Sequence, residues 1–174
     1  MKFNPNVAYF TGLWKTRKVR EGIGVTGDPD TQKIFITQAI KTLGIPPEKI
    51  RVQGNKVFFY HSAYRRDLQK IISDELEIFK WENEYSGNYV AGLYDGCGGI
   101  DEKRKAVFLA RVDDADQLLL ERIGIMTRRF GFSVYILKKS VPKFIALIAK
   151  FVKREETKSR LWALMRSGNE RDPR

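Results

Sequence analysis

Two stretches of this chain open with the same short apolar pattern. In VAYFTGLWKTR (7–17) and GNYVAGLYDGC (87–97), superposing Gly12 on Gly92 sets Leu13 on Leu93, Trp14 on Tyr94, Phe10 on Val90 and Thr11 on Ala91. A small pair, Thr11-Gly12 or Ala91-Gly92, interrupts each apolar run. An amphipathic pattern at helical spacing follows in each half. Ile34, Ile36, Ile40 and Leu43 form it in residues 30–45. Leu118, Leu119, Ile123, Ile125, Met126 and Phe130 form it in residues 116–132. The predicted helix terminators are Gly44 and Gly131. Strand-like sequence then leads to a further helix in each half, over 63–81 and over 141–156, the second with Pro142 in its first turn. From Gly12 to Gly44 is 32 residues, but from Gly92 to Gly131 is 39. From Gly44 to Ser62 is 18 residues, but from Gly131 to Ser140 is 9. The unequal spacing predicts that the first half has shortened the strands before its middle helix, and the second half those after it. The chain therefore reads as an internal repeat of the α+β class: helix, strands, helix, strands, helix, twice.

The small residues suggest what the repeated first helix does. Over 7–15 and 88–95 they strip side-chain bulk from one helix face, so two such faces can pack with backbones nearly touching. Thr11, Gly12, Ala91 and Gly92 are the predicted repeat interface. Glycine inside a helix costs about 0.5–1 kcal/mol against alanine, so an unused one there would be a liability.

The clearest hairpin is 50–62, with Gly54-Asn55 as its two-residue turn. It pairs Gln53 with Lys56, Val52 with Val57, Arg51 with Phe58, Ile50 with Phe59 and Lys49 with Tyr60. Alternation puts Ile50, Val52, Val57, Phe59 and His61 on the core face, with His61 read as a satisfied core residue. Arg51, Gln53, Lys56, Phe58 and Tyr60 fall on the outer face, where cationic and amide donors beside aromatic rings suit phosphates and base edges. In 103–112 both faces are apolar in the middle, and the face of Lys103, Lys105 and Arg111 is read as the exposed one. Lys138 and Lys139 close the strand of 132–140 and are expected at a sheet edge. Asp113, Asp114 and Asp116 read as acids at a helix N-terminus. Leu161, Trp162, Leu164 and Met165 predict a terminal helix docked on the body, with a frayed end over 166–174.

Charge gives these faces a partner. The 174 residues carry 32 Lys plus Arg against 21 Asp plus Glu, a net charge of +11 with pI about 9.8. The surplus is shared between the halves, a broad field rather than a basic tail, and such a field attracts polyanions, nucleic acid above all. One cysteine and one histidine exclude an internal disulfide, a cysteine-rich zinc site and a histidine-built metal centre or triad. No apolar run has membrane-span length and no signal peptide is evident, so an intracellular, cytoplasmic protein without a membrane partner is expected. No helix-turn-helix segment stands out.

VAGLYDGCG at 90–98 resembles the LAGLIDADG motif of homing endonucleases, and FTGLWKTRK at 10–18 resembles a worn second copy. The resemblance spans nearly the whole chain. It implies two pseudo-symmetric αββαββα repeats, residues 1–86 and 87–174, in a monomeric pseudo-dimer. The motif helices would lie at the central interface and the antiparallel sheets would form a saddle over duplex DNA. In that family the eighth motif residue of each copy is an acid that holds divalent metal between the scissile phosphates. Matched position by position, those places hold Arg17 and Cys97. A guanidinium repels a cation and a thiol is a poor ligand for a hard ion such as Mg²⁺. Asp95 takes the sixth position, which in that family packs or caps rather than ligating metal.

The resulting expectation is a nucleic-acid-binding protein, DNA favoured over RNA, with no cofactor, no metal and no retained cleavage. Its contact set would be Arg17, Arg51, Gln53, Lys56, Phe58, Tyr60, Lys103, Lys105, Arg111, Lys138 and Lys139. A working endonuclease using Mg²⁺ in an irregular site built on Asp95 or Asp101, and a maturase-like RNA-binding factor that assists intron folding, stand as the alternatives.

Overall fold

A computed structural model describes residues 1–169. Helix α1 (Pro5–Arg17) starts where the Asn4 side chain accepts the Val7 N–H and Pro5 occupies the first turn. Strand β1 (Ile23–Thr26) follows, then α2 (Pro29–Leu43), capped by Asp28 and closed by Gly44 at φ 66°. A 3-10 turn (Pro47–Lys49) leads into β2 (Arg51–Gln53) and β3 (Lys56–Phe59), and helices α3 (Ser62–Ser73) and α4 (Glu75–Ile78) end this half. The second half runs α5 (Glu84–Cys97), β4 (Gly98–Asp101), β5 (Ala106–Ala110), α6 (Asp114–Arg122), β6 (Thr127–Phe130), β7 (Ser133–Ile136), α7 (Val141–Ile148) and α8 (Glu155–Asn169). The described residues thus make eight α-helices and two antiparallel sheets, ordered β1-β3-β2 and β4-β5-β7-β6.

The two motif helices are buried nearly all round, the pattern of a core helix rather than an amphipathic one. They cross with their backbones in contact. A Cβ on Gly12 would collide with the Tyr89 carbonyl oxygen and lie 2.9 Å from the Leu93 nitrogen. A Cβ on Gly92 would strike the Tyr9 carbonyl oxygen and lie 2.9 Å from the Leu13 nitrogen. The contacts at Gly12 and Gly92 mirror each other about a local two-fold. Thr11 and Ala91 are fully buried beside them, and the Thr11 hydroxyl donates to the Val7 carbonyl. Around this pair, Phe10, Phe35 and Phe59 pack with centroids 5.2–6.5 Å apart on the first side. Tyr94 packs edge-on to Phe144 at 5.7 Å on the second.

The repeat is more regular than the sequence spacing suggested. Helix α6 stops at Arg122, not at Gly131. Gly124, at φ 85°, is the true counterpart of Gly44, and Ile125 folds back to the Leu120 carbonyl as Ile45 does to that of Ala39. Gly12 to Gly44 and Gly92 to Gly124 are then both 32 residues. Residues 127–130 are strand, and Gly131 (φ 56°) begins the β6–β7 turn. The helical stripe was accidental there: Leu118, Met126 and Phe130 are all exposed. With that correction the second half has not lost strand length after its middle helix. The first half has lost it before: opposite β1 only an isolated bridge, Lys18 to Val25, remains where the second half has the β4–β5 hairpin.

Other expectations need similar adjustment. The helix over 63–81 breaks at Asp74, and the one over 141–156 ends at Ile148. Helix α8 continues through Arg166 to Asn169, where a frayed end was expected, and residues 170–174 lie outside those described. On α8, Leu161 is fully buried while Trp162 is 40% exposed.

Candidate nucleic-acid interface

In the first sheet the ladder pairs Arg51 with Phe58, Val52 with Val57 and Gln53 with Lys56, as the turn chemistry predicts. Ile50 and Lys49 belong to the preceding turn and do not extend it. Arg51 and Gln53 lie on the exposed edge strand β2, and Tyr60 is 61% exposed. Lys56 is half-buried and paired with Glu21 at 3.2 Å. Phe58 differs from expectation: it is buried, with Tyr60 edge-on to its ring at 5.7 Å, so it supports Tyr60 rather than meeting a ligand. Two core-face assignments also fail. Val52 is exposed because the edge strand is solvated throughout. His61 lies beyond the strand and is exposed, its Nδ1 accepting the Tyr64 N–H at the start of α3 while its ring stacks on Tyr64 at 3.7 Å.

In the second sheet the face parity is reversed. Val107 and Leu109 are fully buried, so the outer face carries Ala106, Phe108 and Ala110. Lys103, Lys105 and Arg111 are exposed all the same, because they stand in the segments flanking β5, Lys105 and Arg111 with left-handed φ of 50° and 58°. Lys138 and Lys139 are exposed in a 3-10 turn after β7, an inner strand, and not at a sheet edge. Two outer-face residues, Arg128 opposite Tyr135 and Phe130 edge-on to Tyr135 at 6.0 Å, went unseen behind the helical reading of 116–132, and Tyr135, in the strand of 132–140, packs against Phe108 at 5.5 Å.

At the feet of the central helices Arg17 and Cys97 stand close to one another. The Arg17 Nε donates to the Gly96 carbonyl beside Cys97. Burial pushes the Cys97 thiol up to about 12, against the pull of Arg17, so it is a neutral thiol at physiological pH. A cleft of about 230 Å³ opens here, with Arg17, Asp95, Gly99, Arg154 and Arg160 among its walls. Neither foot residue fits a hard divalent ion, and Asp101 holds the β4–β5 turn, accepting the Arg104 N–H at 3.1 Å.

One acidic cluster does have the spacing to hold a cation. Carboxylate oxygens of Glu75, Asp113 and Asp116 lie within 4.8 Å of one another. The Lys15 ammonium already sits among them, 2.8 Å from Glu75 and 2.9 Å from both Asp113 and Asp116. Asp113 and Asp116 also form the capping box of α6, and the Tyr89 hydroxyl reaches Glu75 at 2.5 Å and Asp116 at 3.1 Å. Burial, opposed by Lys15 and reinforced by the charges of Glu75 and Asp113, moves Asp116 up to about 7. Burial alone would lower the Lys15 pKa, but the charge of Asp116 and its acidic hydrogen bonds raise it instead. Lys15 is the built-in counter-ion of this cluster.

The equivalent position in the second motif is Asp95, and its surroundings are reversed in sign. Asp95 is buried, and its Oδ2 accepts the Tyr9 hydroxyl and, at 2.7 Å, the Lys153 N–H. Arg154 follows, donating at 3.0 Å to Asp28, the cap of α2, and to Thr31. That hydrogen bond from Arg154 is the main reason Asp28 lies well below the ordinary carboxylate range. The superposition of Lys15 on Asp95 was visible in the motif alignment; their partners, scattered from residue 9 to residue 153, were not.

Two lobes joined through glycine-bearing central helices, each followed by sheet strand (one in the first lobe, a hairpin in the second), a middle helix and a hairpin, match the LAGLIDADG homing-endonuclease fold. No family sequence profile and no curated sequence matches the chain. Among solved structures, it is similar to a variant of I-DmoI in complex with its target DNA in the presence of magnesium, at 14% identity and TM-score 0.60, over 83% of this chain and 95% of that one. It is similar in the same degree to mesophilic variants of the homing endonuclease I-DmoI, at 13% identity and TM-score 0.60, over 83% and 94%. I-DmoI in complex with DNA and manganese matches at 14% identity and TM-score 0.58, over 83% and 96%. At this identity the likeness establishes the fold. No helix among the described residues is long and apolar enough to cross a membrane.

Proposed function

We propose that this protein binds double-stranded DNA across the outer faces of its two sheets and does not cut it by a divalent-metal mechanism. The observation that carries the reading is the filling of the central-helix feet. Structures of this fold are solved on DNA with magnesium or manganese, whereas here Arg17 bonds across to Gly96 and Cys97 is a buried thiol. A guanidinium at that point suits a phosphate and not a metal ion. The net charge of +11 supplies the long-range attraction. Arg51, Gln53, Tyr60, Lys103, Lys105, Arg111, Lys138 and Lys139, all exposed, and Lys56 supply phosphate and edge contacts, with Arg17 at the centre. Residues 1–86 and 87–174 act as two lobes of one saddle in a single chain. Magnesium-assisted hydrolysis would need a carboxylate pair at the feet, and the acidic cluster of Glu75, Asp113 and Asp116 already has the Lys15 ammonium among its oxygens.

Electrophoretic mobility shift with duplex DNA, structured RNA and single strands, each with and without Mg²⁺ or Mn²⁺, tests this directly. The expected result is salt-dependent duplex binding with no strand cleavage in either metal. For the central arginine, Arg17→Ala should weaken binding and reduce the slope of log affinity against log salt by about one phosphate contact. Reproducible nicking abolished by Asp116→Asn or Asp95→Asn would replace this reading with that of a nuclease using an irregular metal site.

A further inference from the structure

The tip of the β6–β7 hairpin presents two phenylalanines to solvent. Phe130 is 60% exposed and Phe132 is 85% exposed, the largest exposure of any bulky apolar residue described. Neither was singled out for contact by the sequence, and neither is needed to hold the sheet. The tip is nonetheless well anchored. The turn opens on Gly131 in the left-handed region, Phe130 pairs with Ser133, and the Arg111 N–H donates to the Phe132 carbonyl at 2.7 Å. Behind it, Phe130 meets Tyr135 edge-on and Tyr135 meets Phe108, so three rings form a row along the outer face. Exposed Arg111 and Arg128 flank the row, and β5, β6 and β7 contain no acidic residue.

An exposed aromatic tip costs solubility unless something covers it, and the surrounding charge identifies what does. A neutral apolar partner would leave Arg128 and Arg111 unpaired, and an acidic protein surface would pair them but give the two rings no stack to enter, whereas the edge of a base stack offers both an apolar slot and phosphates on either side. Apolar side chains flanked by cations open base steps in this way, unstacking one step and bending the duplex. The first lobe has no equivalent: its corresponding hairpin tip is Gly54-Asn55, and its outer phenylalanine, Phe58, is buried. We infer that Phe130 and Phe132 form a wedge that inserts at a base step of DNA bound on the second lobe, making that lobe sensitive to how easily the step opens. This rests on the DNA-binding reading above.

The test compares three probes of one sequence: a perfect 24-base-pair duplex, the same duplex with a central two-nucleotide bulge, and an RNA hairpin with an unpaired loop. Wild-type protein should bind the bulged duplex roughly 5–150-fold more tightly than the perfect one, the range that one base–aromatic contact supports. Energy transfer between end labels should report a bend in the perfect duplex. Phe130→Ala with Phe132→Ala should abolish both the preference and the bend while leaving perfect-duplex affinity within about threefold. Phe130→Leu with Phe132→Leu, which keeps apolar bulk, should retain most of the bend. Equal affinity for bulged and perfect duplex, or equal loss on both probes in the alanine variant, overturns the wedge but not the DNA-binding reading. Tighter binding to the RNA hairpin than to either duplex, lost in the alanine variant, reassigns the tip to unpaired RNA bases and overturns the inference. Binding to none of the probes overturns both.

Discussion

At the scale of single residues, the informative ones are polar side chains inside the core. Lys15 has two buried carboxylates and a partly exposed third within 2.9 Å, so its loss leaves like charges facing one another in a low dielectric. Breaking such a pair by removing one partner costs about 3–5 kcal/mol. Lys15→Met should therefore lower the unfolding free energy measured by urea titration by that amount near pH 7. The deficit should shrink as the pH falls, because protonating the acids removes their repulsion; equal deficits at pH 4.5 and pH 8 would reject the counter-ion role. Asp116 adds a second pH signature. Its pKa in the fold, about 7, lies above its unfolded value, so the folded state holds the proton more tightly. That contribution is fully present below about pH 4 and is lost as the pH rises through 7. The stability of the wild type relative to Asp116→Asn should decline across that window and level off above it. Denaturation series at half-unit pH steps would show the slope, and a flat difference would mean that the carboxyl is not perturbed.

At the scale of elements, glycine positions that look alike in sequence separate sharply in structure. Gly44 takes left-handed φ at the end of α2 with open space where a Cβ would go, so Gly44→Ala should cost about 1 kcal/mol. Gly92 has ordinary φ, but its missing Cβ is where the α1 backbone passes, and neither helix can yield without separating the core. Gly92→Ala should abolish cooperative unfolding at 25 °C, read by circular dichroism, while Gly44→Ala keeps a sharp transition. Much of this was legible. The central helices, the Gly44 cap and the Gly54-Asn55 hairpin follow from local chemistry: apolar runs with small residues, a left-handed terminator, a two-residue turn. What failed was information that local chemistry does not carry. Thr127–Phe130 satisfies helical spacing as well as strand alternation, and only burial of Ile125, Val134 and Ile136 decides for the hairpin. The face of β5 is set by which side meets α5, and its two apolar sides give no preference. Lys15 and Asp95 could be aligned, yet their partners come from α1, α4, the start of α6 and the segment before α8, and no sequence window joins those.

At the scale of the whole molecule, the question is whether residues 1–86 and 87–174 are domains or halves. Each half has its own sheet, which argues for domains. The interface argues the other way. Tyr9, Phe10, Leu13 and Trp14 on α1, and Tyr89, Val90, Leu93 and Tyr94 on α5, are all buried, and a lone half would uncover a large part of that surface. A chain of about 86 residues buries too small a share of its surface to absorb the loss. The ion networks sharpen the point, because each is assembled across the boundary. Lys15 and Glu75 belong to the first half while Asp113 and Asp116 belong to the second; Asp28 and Tyr9 belong to the first while Arg154 and Asp95 belong to the second. Separated, the second half would present Asp113 and Asp116 without Lys15 and Asp95 without the Tyr9 hydroxyl, unpaired charge on an apolar face, an arrangement poorly compatible with a folded monomer. Expressed alone, neither half should give a monomer with a cooperative melt by light scattering and circular dichroism, whereas the two co-expressed should purify as a one-to-one complex. The sign reversal between Lys15 and Asp95 further sets the composition of that complex: two first halves would bring Lys15 and Glu75 together without Asp113 and Asp116, and two second halves would set Asp95, in the place of Lys15, against the Asp113 and Asp116 carboxylates. Pairing of unlike halves is therefore favoured over pairing of like ones. A stable homodimer of either half would show that the small-residue seam alone holds the lobes together and that the charged networks only decorate it.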